Sequence, residues 1–405
     1  MSDLFLTQLD DFPTQNGKVY LGHPSPMNMK RTILVSVLIL AFLIAGCAQQ
    51  ETKPTPTPKA TPTPTPTPAA KKLMVAFVYV SPIGDAGWSY AHDQGRIWIE
   101  KHLGVETKYS EAVPEGPDAE RVIREYAEQG YDIIFTTSFG YMDSTITVAK
   151  DFPNTVFMHC SGYKTAKNVG TYFGRMYQAR YLSGLVAGSM TKTNKIGYVA
   201  AHPIPEVIRG INAFALGVKK VNPDAKVIVV WTGTWYDPAK EKEAAISLLD
   251  QGCDVIAQHQ DSPSPQQAAE ERGAYSIGYN SDMSKFAPKA HLTAPVWNWS
   301  VIYSYVVKNV RQGTWKSEEI WWGIDKGVVD LAPFSKAVPE DVKKLVLEEK
   351  EKYIKGDVPE QYPFVGPIKD QSGKVIKAEG EVMTDEELLS MNFFVDNVVG
   401  EIPQG

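Results

Sequence analysis

The stretch EQGYDIIF, Glu128 to Phe135, returns 122 positions later as DQGCDVIA, Asp250 to Ala257. Each copy leaves an amphipathic stretch at a glycine (Gly130, Gly252) and enters an apolar run. SPIGD (Ser81–Asp85) corresponds to HPIPE (His202–Glu206) at an offset of 121, each following an apolar run and preceding a helical pattern. Within those helices Gly95 and Gly217 again stand 122 apart. Three matches at nearly one offset read as an internal duplication. The alternative is that parallel α/β units look alike without having been copied.

The body around the repeat fits either reading. Short apolar runs occur at Met74–Val80, Ile133–Thr137, Val156–His159, Ile196–Ala200, Val227–Trp231, Val255–Ala257 and Tyr275–Tyr279. Amphipathic stretches such as Ala119–Gln129, Val207–Val221 and Lys240–Asp250 lie between them. Near-continuous apolar strands separated by helices describe parallel sheets covered on both faces. The expectation is two similar α/β lobes: residues 73–175 with part of 296–325, and 176–295 with part of 326–405. Ligands of such sheets sit beyond the carboxyl ends of the strands, hence between the lobes. Trp88, in FVYVSPIGDAGWSY, follows a run of turn residues and is expected on a loop forming one cleft wall.

Composition is that of a globular protein, 43% hydrophobic and 22% charged, with ample material for two cores. A net charge of −6 gives a nucleic-acid partner no support. The first 72 residues read as separate from the fold. Lys30 and Arg31 precede an apolar run, Thr32 to Gly46, shorter than the ~20 residues that span a bilayer. Basic start, apolar core and small residues describe a secretory signal at 29–47, and residues 1–28 read as an over-extended start. The signal ends in LIAGC, similar to the lipobox of lipoproteins, which makes Cys47 the lipidation site; an uncleaved anchor is the other reading. The Thr-Pro repeat at 48–72 is an extended spacer. Cys160 and Cys253 lie in or beside apolar runs and read as buried thiols, with a disulfide left open.

Several motifs, in order, resemble the basic membrane protein (BMP) family: GDAGWSYAHDQGR, TTSFGYMD, NVGTYFGR, IGYVAAHPIPEVIRGINAFALG, WYDPAKEKEAA, GYNSDMSKF and the closing FFVDNVVGEIP. The resemblance runs from about Leu73 to Gly405. It implies a two-lobed type I periplasmic-binding fold and a lipoprotein solute receptor of an ABC importer. It further implies a purine base or nucleoside as ligand, permease and ATPase subunits as partners, and a lipid-anchored place outside the cytoplasm. The family's first loop is typically Asp-x-Ser-Phe-Asn. The residues here are Asp85, Gly87, Trp88 and Ser89, a departure that bears on recognition of a ribose.

The strand ends supply the candidate ligand-binding residues: Asp85, Trp88, Phe139, Glu206, Trp235, Asp261, Asn280 and Asp282. Aromatics suit a flat heterocycle, and carboxylates and amides suit its nitrogen edges. Other roles stay open for several of them. Phe139 could pack under the sheet, Glu206 could be a first-turn acid, and Asp282 could cap a turn while Asn280 makes the contact. Asp237, before Pro238, reads as a helix N-cap. No P-loop, H-E-x-x-H or G-x-S-x-G motif occurs, and His259 with Asp261 lacks a third metal ligand, so neither catalysis nor a cofactor is expected. A nucleoside hydrolase-like enzyme and a ligand-presenting sensor subunit remain the rival functions.

Overall fold

The computed structural model describes residues 72–403. The start segment 1–28, the leader 29–47 with Cys47, and the Thr-Pro stretch as far as residue 71 lie outside the described residues. Strand and helix alternate as β1 (Met74–Val78), α1 (Trp88–Leu103), β2 (Glu106–Ser110), α2 (Pro117–Glu128), β3 (Ile133–Thr136), α3 (Met142–Asp151), β4 (Val156–Cys160) and β5 (Val169–Gly174). Next come α4 (Met176–Met190), β6 (Lys195–Ala200), α5 (Pro205–Val221), β7 (Lys226–Trp231), α6 (Pro238–Asp250), β8 (Val255–Gln258), α7 (Ser264–Glu271), β9 (Tyr275–Ile277), β10 (His291–Thr293) and β11 (Pro295–Trp297). The chain closes with α8 (Trp299–Gln312), β12 (Glu319–Trp322), β13 (Val329–Leu331), α9 (Glu340–Lys355), β14 (Ile368–Lys369), β15 (Val375–Lys377), α10 (Asp385–Leu389) and β16 (Val398–Val399).

These strands build two six-stranded sheets, ordered β12-β5-β4-β3-β1-β2 and β10-β9-β8-β6-β7-β16, with every neighbouring pair parallel. The fold is a two-lobed α/β architecture. Strands covered on both faces need apolar side chains on both, which is why Val75, Ala76, Phe77 and Val78 of β1 are all buried. The strand β2, ETKYS, departs from that rule because it is an edge with one neighbour and keeps much of its length in solvent.

The duplicated stretch has a shared mechanical role. After α2, Gly130 takes φ +78°, and after α6, Gly252 takes φ +88°. This left-handed turn ends a helix at low cost only with glycine. The aspartate that follows then ties the entry of its strand to a neighbouring segment of the same lobe. Asp132 accepts from the Met74 backbone N at 2.8 Å, and Asp254 accepts from the backbone N of Lys192 and Thr193 at 2.6 and 3.0 Å.

The chain passes from one sheet to the other after β5, after β11 and after β12; β11 and β13 pair antiparallel at this junction. Trp321 and Trp322, at the end of β12, serve packing. Trp321 lies under the guanidiniums of Arg175 and Arg209, and Trp322 meets Tyr305 edge-on. Cys160 and Cys253 are both buried and free. Asp237 caps α6, accepting from the Lys240 backbone N at 3.2 Å. Trp88 differs from its expected place: it is the first residue of α1, not a loop residue, although Gly87 just before it is non-helical.

Candidate functional site

The carboxyl ends of the two sheets face each other across a cavity of ≈ 380 Å³, open mouth included. Its first wall comes from the lobe of β1, β3 and β4: Val80, Trp88, Thr137, Ser138, Phe139 and Ser161. The second comes from the lobe of β6 to β9: Glu206, Trp235, His259, Asp261 and Tyr279.

The aromatic members are held by different means. Trp88 donates its indole N–H to the Thr137 carbonyl at 2.6 Å, and His92, Trp297 and Trp299 meet its ring edge-on. The ring is therefore fixed before any ligand arrives. Phe139 is 37% exposed, so it is a rim residue with a free face rather than one packed under the sheet. Trp235 rests against the His202 ring at 4.7 Å.

The polar members share one electrostatic theme. Asp261 is buried and accepts from the Asn280 side-chain amide at 2.8 Å; Asn280 in turn accepts from the Trp297 indole at 2.8 Å. Burial, then the nearby Asp85 carboxylate, hold the Asp261 carboxyl well above the usual range. Glu206 stands on the first turn of α5, its side chain 17% exposed, with Oε1 3.7 Å from His259 Nε2. Burial raises it to about 7, against the opposing pull of Arg209 and Arg180. Burial, then the same two arginines, keeps His259 neutral. Among the described residues neither carboxyl is in salt-bridge contact with a Lys or Arg, a setting that favours a ligand able to donate N–H groups.

Of the eight residues predicted from sequence, Trp88, Phe139, Glu206, Trp235 and Asp261 line the cavity, and three do not. Asp85 is consumed by its own helix. It accepts from Ser81 Oγ and from the backbone N of Gly87, Ser89 and Tyr90 at 2.7–3.0 Å, and is 1% exposed. Asn280 stands behind Asp261 and orients it. Asp282 points away: it accepts from the Ser284 backbone N at 2.9 Å, capping that turn, and its side chain is 48% exposed. His259 and Tyr279 line the cavity although the sequence had offered one as an unconvincing metal ligand and the other as a strand residue. Among the described residues no cluster of three His, Cys, Asp or Glu is placed to hold a metal ion. Arg180, whose guanidinium carbon is 3.6 Å from the centre of the Tyr279 ring, was missed as well. Its signal is legible: the lone charged residue of helix α4, with YLSGLVAG following directly after it.

The lobes touch beside the cavity. The Ser281 hydroxyl donates to the Ala86 carbonyl, and Gly87 lies directly against the Asp261 backbone. Comparison with known proteins agrees with this geometry. A purine-binding protein of Brucella abortus (strain 2308) is 49% identical over 338 residues, 83% of this chain and 95% of the relative. A candidate ABC transporter glucose-binding protein of Haloferax volcanii is 42% identical, covering 81% of each chain. Among solved structures, an ABC transporter solute-binding protein from Aeropyrum pernix K1 superposes with a TM-score of 0.63 at 21% identity, covering 79% of this chain and 98% of that one, a likeness of fold. The family described as Bmp, ABC transporter substrate-binding protein PnrA-like, matches residues 72–372; with parallel-sheet lobes closing on a cavity at their strand ends, the chain belongs to that family of substrate-binding proteins.

Proposed function

We propose that this chain is an extracytoplasmic, lipid-anchored receptor that captures a purine base or nucleoside between its lobes and delivers it to the permease and ATPase of an ABC importer. The observation that carries the reading is the wall chemistry: Trp88, Phe139 and Trp235 surround two carboxyl groups, the partly buried Glu206 and the buried Asp261. Aromatic faces stack on a base for ~1–3 kcal/mol each. Carboxylates accept from the amino and imino edge of a purine, as they do when proteins read bases elsewhere. In this reading Asn280 is a positioning residue for Asp261, and Asp85 and Asp282 shape their turns without touching ligand. The name of the Brucella relative supports a purine; that of the Haloferax relative favours a sugar and defines the rival ligand. Cys47, the last residue of LIAGC, is the proposed tether and the Thr-Pro repeat its spacer.

Calorimetry with adenine, guanine, adenosine, inosine and glucose tests the ligand. Binding of at least one purine and none of glucose is expected; the reverse overturns the purine assignment. Chromatography of the recovered ligand separates receptor from enzyme: a receptor returns a nucleoside intact, whereas appearance of free base indicates a hydrolase. Fractionation of cells making Cys47→Ala tests the anchor, and an unchanged membrane-bound fraction would show that lipid on Cys47 does not hold the protein.

A further inference from the structure

Behind the partition formed by Glu206, His259 and Tyr279 lies a second chamber of ≈ 230 Å³, mouth included, into which Arg180 and Arg209 project. Both arginines are buried, 1% and 4% exposed. Arg180 spends one N–H on the Gln258 carbonyl at 2.5 Å, while its Nε and Nη2 meet no acceptor. Arg209 donates to the Leu388 carbonyl at 2.8 Å and lies over the Trp321 ring at 5.0 Å. Neither guanidinium forms a salt bridge among the described residues; the ion contact recorded for Glu206 is with His259. A buried guanidinium with unmet donors and no paired carboxylate is costly, and the cost is removed by a counter-ion.

We propose that this chamber is a binding site for a small monovalent anion of halide size, held by the free N–H groups of Arg180, with Arg209 supplying the second positive charge. The Tyr279 face packed against Arg180 keeps water from screening the pair. Glu206 sets the strength of the site. It is faced by Arg180 of α4, Arg209 of its own helix, His259 and Asp261 beyond β8, and Tyr279 beyond β9. Cys160, at the end of β4, feels its charge as well, and His202, ahead of the same helix, acts on His259. When Glu206 is ionised it offsets one of the two positive charges; when protonated it offsets none. Because burial holds it near 7, anion affinity rises as pH falls through neutrality.

Crystals of the purified chain grown in sodium bromide and measured at the bromine absorption edge give the test, with no purine involved, so the result is independent of what fills the main cavity. An anomalous peak against Arg180 Nε and Nη2 is expected. Water alone in the chamber, or bromide only at exposed lysines as an adventitious ion, overturns the site. In solution, replacing methanesulfonate by bromide at constant ionic strength should raise the melting temperature by about 2–4 °C. The rise should be larger at pH 6 than at pH 8 and absent in Arg180→Gln; an equal rise in that variant also overturns it. Should Arg180→Gln fail to fold, the bromide crystal decides.

Discussion

Gly87→Ala tests the closed geometry at its tightest point. A Cβ on Gly87 would stand 2.1 Å from the Asp261 carbonyl O and 2.7 Å from its C and Cα. These are backbone atoms of the opposite lobe, so no rotamer change relieves the overlap. Ordinary contact begins at 3.4 Å, which requires the loops to part by at least 1.3 Å. That separation also stretches the bond from the Ser281 hydroxyl to the Ala86 carbonyl. Overpacking of this kind costs ~1–3 kcal/mol. Hinge motion lets an empty protein escape the cost by opening. The penalty therefore falls on the closed, ligand-holding state, and affinity drops by about 5–150-fold while the melting temperature of the empty protein hardly moves. Calorimetry against the tightest-binding purine, with thermal denaturation alongside, measures both quantities. Gly84→Ala is the control, since a Cβ there meets nothing within 4 Å in the same loop. If Gly87→Ala binds as the wild type does, or loses no more than Gly84→Ala, the contact seen here is not part of the ligand-holding state and the reasoning fails.

Trp88→Ala should weaken every purine alike by ~1–3 kcal/mol, since stacking does not depend on the base edge; calorimetry with an adenine-type and a guanine-type ligand would expose a selective loss and refute that role. Glu206 takes up its proton in the folded state near 7 but near its ordinary 4.5 when unfolded, so stability of the empty protein should fall as pH rises from about 4.5 to about 7 and level off above, by at most ~3 kcal/mol. Glu206→Gln should flatten that slope, and an unchanged slope in a pH series of denaturation curves would assign it to other groups. Asp282→Ala should leave ligand affinity unchanged, whereas Asn280→Ala, which frees Asp261 and the Trp297 indole, should lower it by about fivefold through the loss of the hydrogen bond that orients Asp261. Equal effects in the two would erase the distinction drawn between them.

What could be read in advance follows from how each signal is produced. Parallel strands buried on both faces write themselves as apolar runs, so β1, β3, β4, β6, β7, β8 and β9 were visible, and the repeated glycine-aspartate junction exposed the two-lobed plan. The edge strand β2 has no buried second face and left no such run. The cleft was legible to the level of its loops and no further. Asp85 and Trp88 lie in one turn, and both were reasonable wall residues; which of them faces the cavity is decided by where α1 begins. Because the helix starts at Trp88, its exposed amide N–H groups claim the carboxylate three residues earlier, and the indole is left to face the cavity. The same competition separates Asp261 from Asp282. Each follows a strand of the second sheet, but the backbone N of Ser284 satisfies Asp282, whereas Asp261 is left with a single side-chain donor from Asn280. A carboxylate that local backbone donors have already satisfied has little left to offer a ligand, and one that they have not satisfied is driven to find a partner. Spacing along the chain shows only that the acids are near strand ends; the hydrogen-bond count of each acid decides which of them can serve as recognition groups.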